Sequence, residues 1–317
     1  MDDIMVSVCC LAYNHEKYIR KTLEGFVRQK TNFKYEVLIH DDASTDKTAD
    51  IIREYEEKYP DIIKPIYQTE NQYSKRVSIS YTYQYPRAKG KYVAFCEGDD
   101  YWTDVNKLQK QVDFLESNPE YIACVHKYRV VDENDNEQDV KTFGFYENGG
   151  RYAFTDFFTN NLPSQLATLL LRNILEDEEK GFPQELTHIR IAGDIKIYLW
   201  LLIHGDIYRM DEVMSSYRFV VKKSGKSYSS RMLKSCVNFN YWCEICKLEK
   251  LMKKLYGMDV YFKQRRLEFA LGTVKDLRKC VNFKNLKNAC IVIVKQRGTV
   301  REMINGFFQA LKRRLRK

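Results

Sequence analysis

The N-terminal part of the chain alternates short apolar runs with amphipathic segments, and this alternation constrains the fold more than any other feature. The runs VSVCCLAY, YEVLIH, KPIYQTE and KYVAFC have the length and apolar content of buried strands. Apolar residues recur at helical spacing up to Gln29, over 46–60 and over 107–119, and residues 74–88 are expected to form a further helix. This order predicts an α/β fold with a mostly parallel central sheet flanked by helices.

Polar residues follow three of these predicted strands at the point where each strand ends. Ala12-Tyr13-Asn14 follows the first, Asp41 to Asp46 the second, and Glu97-Gly98-Asp99-Asp100 the fourth. Ligands of such sheets bind outside the carboxyl ends of the strands. The three clusters suit a nucleotide, with an aromatic ring for the base, a carboxylate to accept from a base N–H, and a metal ion on the phosphates. Neither G-x-G-x-x-G nor a P-loop is present.

The acidic cluster at 97–100 admits two interpretations. Carboxylates at the mouth of one strand repel one another, and a hard cation such as Mg²⁺ or Mn²⁺ is the usual reason for gathering them. The alternative is an acidic turn without a ligand.

Composition narrows the class of protein. The 317 residues carry a net charge of +9. They contain no apolar run long enough to span a membrane, and no secretory-signal pattern is recognised in them. An odd number of cysteines, nine, favours a reduced cytosolic protein over a disulfide framework. Cys243 and Cys246 lack a second pair at zinc-ligand spacing. The positive charge suits nucleic acid, membrane or a phosphorylated substrate, but no nucleic-acid-binding motif accompanies it.

The second half of the chain contains two further predicted strands. They cover residues 121–132 and 162–173, and the latter is expected to place Ser164 and Gln165 near a second bound substrate. Asp194 is expected to start an apolar helix, where aspartate is a favoured N-cap. The basic, serine-rich stretch after Tyr217 suits either a mobile lid or a solvated loop.

These residues resemble the family-2 glycosyltransferases, which have the glycosyltransferase A fold. The resemblance is carried by VSVCCLAYN, YEVLIHDDASTDKT, GKYVAFCEGDDYW and IAGDIKIYLWLLIHG, and it covers about residues 4 to 220. It implies an inverting transferase that uses a nucleotide-diphosphate sugar and a divalent metal ion. Asp194, after Gly193, matches the family's catalytic-base motif, so cap and base are both open roles for this carboxylate.

The resemblance also implies a donor site. The residue at Asp42 binds the uracil ring in that family, the aromatic at Tyr13 flanks the base, and Arg76 falls where members place a basic residue. The family's D-x-D motif stands here as Glu97-Gly98-Asp99, with Asp99 as ligand of Mn²⁺ or Mg²⁺ and Glu97 contacting the ribose or metal-bound water. The implied donor-binding residues are Ala12, Tyr13, Asn14, Asp42, Arg76, Glu97, Gly98 and Asp99.

The resulting hypothesis is that the protein transfers a sugar to a hydroxyl of a glycan or lipid-linked acceptor, with a UDP-sugar as the favoured donor. The reaction is expected to belong to surface polysaccharide synthesis, such as that of capsule or lipopolysaccharide. The alternatives are a sugar-nucleotide nucleotidyltransferase and an inactive nucleotide-sugar binding module. Residues 1–222 are expected to form the catalytic domain, with 1–118 as nucleotide-binding half and 119–222 as acceptor half.

Residues 223–317 are expected to form a helical extension that ends in MINGFFQALKRRLRK. Its last segment places Ile304, Phe308, Leu311 and Leu315 on one helical face, surrounded by five basic residues. Such a helix suits either an anionic membrane surface or packing against the protein. The predicted location is cytoplasmic, with the inner face of the cytoplasmic membrane as the candidate peripheral site.

Overall fold

The central sheet is built from the strands that the sequence predicts together with several that it does not. The structure is a computed structural model that describes residues 4–140, 146, 148–159, 162–220, 236–277 and 282–295. Its strands are β1 Val6–Ala12, β2 Tyr35–Asp41, β3 Ile63–Tyr67, β4 Tyr92–Phe95, β5 Tyr101–Trp102, β6 Tyr121–Val131, β7 Gly150–Tyr152, β8 Leu170–Arg172 and β9 Asp206–Arg218.

The helices of the same ranges lie between and after these strands. They are α1 Ile19–Val27, α2 Thr48–Lys58, α3 Lys107–Ser117, α4 Gln184–Thr187, α5 Gly193–His204, α6 Asn238–Tyr256, α7 Lys263–Asp276 and α8 Phe283–Lys295.

Burial follows the apolar pattern of the sequence. In α1 the residues that repeat at helical spacing, Ile19, Thr22, Leu23 and Phe26, are the buried ones. Strand β1 is buried along nearly its whole length. Strands covered on both faces carry such continuous apolar runs, as expected for the centre of an α/β sheet.

The sheet has the order β3-β2-β1-β4-β8-β6-β9-β5, with β7 added beside β9. Pairing is parallel across β3, β2, β1 and β4 and again between β6 and β9, but antiparallel where β8, β5 and β7 join. The α/β prediction is confirmed, and parallel pairing holds for the N-terminal half of the sheet. The remaining half is mixed, because β8 enters between β4 and β6 in the opposite direction.

Two predicted elements differ in detail. The expected helix over 74–88 is a five-residue π-helix, Ser80–Gln84, followed by a 3-10 turn, Tyr85–Arg87. Pro86 lacks an N–H and its ring crowds the preceding turn, which disfavours a continuous α-helix here. The expected strand over 162–173 contains a 3-10 turn at Leu166–Thr168, and only Leu170–Arg172 is a strand. The Gln165 side chain accepts from the N–H of Ala167 at 2.5 Å and thereby caps the turn.

The chain divides into two units. The first comprises Met1–Phe154, Leu162–Thr187 and Asp194–Val220, and it contains the sheet. The second comprises Thr155–Asn161, His188–Gly193 and Val221–Lys317. In its described residues, the helices α6, α7 and α8 share a core formed by Trp242, Ala270, Val274, Ala289 and Val292. The domain boundary predicted between 222 and 223 stays a prediction.

Two predicted segments lie wholly or mainly outside the described residues, namely the basic stretch after Tyr217 from residue 221 onward and the terminal segment from Ile304 to Lys317. Within the described ranges, every helix is too short or too polar to cross a membrane.

Candidate active site

The acidic turn Glu97-Gly98-Asp99-Asp100 packs directly against the end of β1. The N–H of Gly98 donates to the carbonyl of Leu11 at 2.8 Å. A Cβ at position 98 would come within 2.8 Å of His15 Nδ1 and 3.2 Å of the Ala12 Cβ, so only glycine fits without displacing its neighbours. The sequence-predicted residues Ala12 and Gly98 are therefore in close proximity.

The loops after β1 and β2 are joined by hydrogen bonds from side chains to backbone. The N–H of Asn14 donates to Ser44 Oγ at 2.9 Å, and the N–H of Thr45 donates to Asn14 Oδ1 at 2.8 Å. Asn14 and Ala43 both have positive φ, 56° and 60°, which is uncommon for residues with a side chain. Such conformations persist where the surrounding structure enforces them, and they concentrate at functional sites. Tyr13 lies at this junction and is 43% exposed.

Asp42 anchors the loop that carries Arg76. Its Oδ1 accepts from the N–H of Gln72 at 2.7 Å, and its Oδ2 accepts from the N–H of Tyr73 at 3.1 Å. Asp42 is buried, whereas Arg76 is exposed and has a φ of 65°. A carboxylate has about four acceptor sites, so these two bonds leave capacity for a ligand N–H. Hydrogen bonds to Asp42 thus hold the loop that carries Arg76 against the end of β2.

Asp194 lies within electrostatic reach of the acidic turn, although 94 residues separate it from Asp100 in the sequence. Removal from bulk water raises the pKa of Glu97, and the charges of Asp99 and then Asp194 raise it further. Glu97 nevertheless remains exposed to solvent, so this residue lies among other acidic groups and is still reached by water. The half-buried Asp194 is the second residue of α5, and its Oδ1 accepts from the N–H of Ile195 at 2.7 Å.

Tyr217, on β9, lies within electrostatic reach of the same acidic groups. Burial raises the pKa of its phenol, and the charges of Asp100, Glu97, Asp99 and Asp194 contribute in that order. A single phenol within electrostatic range of all four carboxylates indicates that they lie in the same region. The carboxyl ends of β4 and β9 and the start of α5 are therefore near one another.

The carboxylates fit a hard divalent cation in their chemistry. Burial raises the pKa of Asp100 well above its ordinary value, and the charge of Asp99 raises it further, so closely spaced carboxyl groups of this turn oppose one another's ionisation and a cation between them would relieve that repulsion. In the described ranges no group of three or more His, Cys, Asp or Glu side chains is arranged to enclose a metal ion. Mg²⁺-type sites commonly use one or two carboxylates and complete their coordination with substrate phosphates and water.

Two residues at this site, Arg218 and His15, escaped the sequence reasoning. Arg218 is buried and donates from Nε to the carbonyl of Asp99 at 3.0 Å. Gln165, which the sequence analysis expected near a bound substrate, donates to Asp100 Oδ2 at 3.1 Å. His15, which the sequence analysis does not include among the site residues, has Nε2 3.9 Å from Asp99 Oδ2. Position in the chain gave no signal for Arg218, but His15 directly follows the Ala12-Tyr13-Asn14 cluster and could have been included.

Comparison with protein families gives a match that covers more than half of the chain. The model described as Glycosyl transferase family 2 matches residues 7–177. The uncharacterized protein Rv1520 of Mycobacterium tuberculosis is 34% identical over 218 residues, 67% of this chain and 58% of that protein. The chain thus spans less than two thirds of the relatives it matches at this level. TuaG of Bacillus subtilis, named as a teichuronic acid biosynthesis glycosyltransferase, is 29% identical over 68% of this chain and 79% of its own length.

Solved structures support the fold. The structure of S. aureus TarS 1–349 with UDP-GlcNAc has a TM-score of 0.63 and 18% identity, covering 96% of this chain and 84% of that chain. The mannosyltransferase PcManGT from Pyrobaculum calidifontis, in complex with GDP-Man and Mn²⁺, has a TM-score of 0.52 and 16% identity over 98% of this chain and 86% of its own. At such identities the likeness establishes the architecture, a mixed sheet flanked by helices.

Proposed function

Because the chain belongs to glycosyltransferase family 2, we propose that it transfers a sugar from a nucleoside-diphosphate sugar to a hydroxyl of a glycan or lipid-linked acceptor, with inversion at the anomeric carbon. The observation that carries this proposal is the meeting of the acidic turn, the Asn14 and Asp42 loops, and Asp194 at the carboxyl ends of the strands. Sugar transfer from a nucleotide needs all three: a pocket for the nucleobase, a site for the diphosphate, and a general base for the acceptor hydroxyl.

The donor half of the proposal assigns the nucleobase to Tyr13 and Asp42. A uracil presents one N–H between two carbonyls, so a carboxylate at position 42 suits it as an acceptor. Ala12 and Asn14 are assigned to the adjacent part of the donor site, since the N–H of Asp42 donates to the carbonyl of Ala12 at 2.9 Å. Arg76 is assigned to the same site because it lies on the loop that Asp42 anchors. UDP-sugars are therefore the favoured donors, and the relatives and structural neighbours include proteins whose names or complexes specify UDP-sugars.

The second part of the proposal assigns a metal-binding role to Asp99 and a general-base role to Asp194. Asp99 would hold a Mn²⁺ or Mg²⁺ ion, which would neutralise the charge that develops on the leaving diphosphate. Glu97 would contact the ribose or metal-bound water. Asp194 accepts the proton of the acceptor hydroxyl as that oxygen bonds to the anomeric carbon and the diphosphate departs, a general-base role worth typically 10²–10⁴-fold. A single displacement of this kind inverts the configuration.

The rival function, a sugar-nucleotide nucleotidyltransferase, requires free backbone N–H groups after β1 to cradle a triphosphate. Here those groups already donate within the protein. The N–H of His15 donates to Thr48 Oγ1 at 2.7 Å, and the N–H of Glu16 donates to Asp46 Oδ2 at 3.1 Å. With the Asn14 N–H on Ser44, three successive amides are unavailable to phosphate. This observation favours the transferase.

The acceptor and location belong to the same proposal. Polysaccharide-biosynthesis names among the relatives support a glycan or lipid-linked acceptor. A lipid-linked acceptor places the reaction at the inner face of the cytoplasmic membrane, and the basic sequence from Ile304 to Lys317 supports peripheral attachment there.

A donor screen tests the proposal. The purified protein is incubated with UDP-, GDP- and dTDP-sugars, with Mn²⁺, Mg²⁺ or EDTA, and release of the nucleoside diphosphate is measured. We expect metal-dependent release with UDP-sugars as the best donors. Absence of release and of nucleotide binding with every donor would contradict the transferase, whereas nucleotide binding without turnover, even with a range of acceptors, would favour the inactive binding module.

A further inference from the structure

The backbone of the acidic turn is held by side chains from two distant elements. Thr22 Oγ1, on α1, lies 2.6 Å from the carbonyl oxygen of Asp100 and 3.1 Å from that of Gly98. Arg218, at the end of β9, donates from Nε to the carbonyl of Asp99 at 3.0 Å. Three successive carbonyls of the turn therefore have a side-chain donor within hydrogen-bonding distance.

Arg218 is itself fixed on all sides. Its Nη1 donates to the carbonyl of Asp132 and its Nη2 to Asp135 Oδ1, each at 2.6 Å. Its guanidinium carbon lies 4.3 Å from the centre of the Tyr18 ring. Its backbone N–H donates to Asp100 Oδ1 at 2.8 Å. A buried guanidinium whose donors are used in this way is not available to bind a phosphate, and its rigid planar fork suits a positioning role.

From these contacts we propose that Arg218 and Thr22 are positioning residues that set the geometry of the acidic turn, so that the Asp99 carboxylate is presented to the donor diphosphate and its divalent cation. This inference rests on the proposed function and adds to it the residues on which the cation and diphosphate geometry depends. Catalytic groups lose on the order of 10²-fold in rate when they are displaced by about 1 Å. Loosening the turn should therefore reduce turnover and cation-linked nucleotide binding without removing the nucleobase pocket.

Two variants test the positioning role, one at Arg218 and one at Thr22. Arg218→Lys keeps the charge but replaces the fork with one ammonium, which cannot reach the Asp99, Asp132 and Asp135 oxygens together. Thr22→Val keeps the shape and removes the hydroxyl, and it remains informative if Arg218→Lys does not fold. Arg20→Lys is the matched control, since Arg20 pairs with Glu54 in two hydrogen bonds at the surface.

The measurements are UDP affinity by calorimetry with Mn²⁺ and with EDTA, sugar transfer rate, and melting temperature. For Arg218→Lys we expect UDP affinity in EDTA to stay within about twofold of wild type, the Mn²⁺-dependent gain in affinity to fall at least tenfold, and kcat to fall about 10²-fold. For Thr22→Val we expect the same pattern with a loss on the order of tenfold. Arg20→Lys should match wild type in all three.

The outcomes separate this inference from the proposed function. Folded Arg218→Lys and Thr22→Val proteins that keep the Mn²⁺-dependent gain in affinity and the wild-type kcat would overturn the positioning role. Equal losses of UDP affinity in Mn²⁺ and in EDTA would also overturn it, because they indicate general damage to the fold. A wild-type protein without any nucleotide binding would instead refute the proposed function, and this inference with it.

Discussion

The side-chain amide of Gln165 donates to Oδ2 of Asp100 at 3.1 Å, which ties the segment before β8 to the acidic turn after β4. The Oδ1 of the same carboxylate accepts from the backbone N–H of Arg218 at 2.8 Å. Both oxygens of the buried Asp100 are thus engaged within the protein. The Asp99 side chain, by contrast, is 34% exposed. Of the two neighbouring aspartates, Asp99 is therefore the better placed to meet a cation and a diphosphate from solution.

Asp99→Asn should abolish most of the metal-dependent activity. The amide keeps the shape of the side chain but loses the charge that a hard cation requires, so we expect transfer to fall at least about 10²-fold, within the range for lost transition-state charge stabilisation. Melting temperature and the rate of transfer at saturating Mn²⁺ would be compared. Asp113→Asn, an exposed position on α3, is the control. An Asp99→Asn protein with wild-type turnover, or a wild type indifferent to EDTA, would rule out the metal role.

Asp42→Asn should weaken nucleotide binding more than it weakens the fold. The substituted amide keeps one acceptor oxygen but sets an NH₂ group against one of the backbone N–H donors of Gln72 and Tyr73. We expect UDP affinity to fall on the order of tenfold or more, because the loop loses its anchor and the base loses its acceptor. Calorimetric titration with UDP and with GDP measures the change in nucleotide affinity. Unchanged affinity for UDP would remove Asp42 from the donor site.

The terminal segment from Ile304 to Lys317 should bind anionic membrane. Each basic residue near such a surface contributes about 1 kcal/mol, so five of them support reversible attachment. Co-sedimentation with phosphatidylserine-containing and neutral liposomes would be compared for the full chain and a chain that ends before Gly306. Equal sedimentation of both chains, or binding that ignores an increase in salt, would exclude electrostatic attachment through this segment.

Buried Lys107 should make stability rise with pH above neutrality. Its Nζ donates to Gln111 Oε1 at 2.6 Å and lies 4.1 Å from the centre of a Trp102 ring. Burial lowers the pKa of Lys107 from its ordinary 10.5 to about 7. Between these values the unfolded chain binds a proton that the folded chain does not, so unfolding free energy increases with pH across that window.

The comparison that isolates this effect is Lys107→Met against wild type, with Lys110→Met as control on the same helix. The destabilisation by Lys107 is fully present below about pH 7 and declines toward pH 10, so wild type should gain on the order of a few kcal/mol relative to Lys107→Met between pH 7 and 9.5. Urea unfolding at several pH values measures it. Parallel pH profiles for wild type and Lys107→Met would show that Lys107 titrates normally.

The local pattern of the sequence was sufficient for the N-terminal half of the sheet. The strands β1 to β4 and the helices α1 to α3 follow one another at short range, and their apolar periodicity is strong enough to locate them. The polar clusters at the strand ends followed from the same reasoning, because the carboxyl ends of parallel strands share one edge.

The pairing of β6 with β9 and the burial of Arg218 could not be obtained in this way. Arg218 meets Asp100 across 118 positions of sequence, and neither residue carries a local signal for the other. An arginine in a polar stretch is usually exposed. Only the tertiary structure reveals that this one is surrounded by the acidic turn, the turn at 132–135 and the Tyr18 ring. Long-range contacts of this kind are what a single sequence does not specify.

Asp194→Asn distinguishes the two roles that its position allows. As the second residue of α5, the Asp194 carboxylate can interact with the helix dipole, a contribution of typically 0.3–1 kcal/mol. A purely structural role predicts a stability loss of that size with transfer largely intact. The general-base role predicts nearly normal melting and UDP binding with turnover reduced on the order of 10² or more, because an amide cannot take the acceptor proton. Asp206→Asn, in the exposed ion pair with Arg151, is the control. Since Asp194 shares electrostatic reach with Glu97 and Tyr217, we expect the second result. A folded Asp194→Asn protein that transfers sugar within a few-fold of wild type would exclude the assignment.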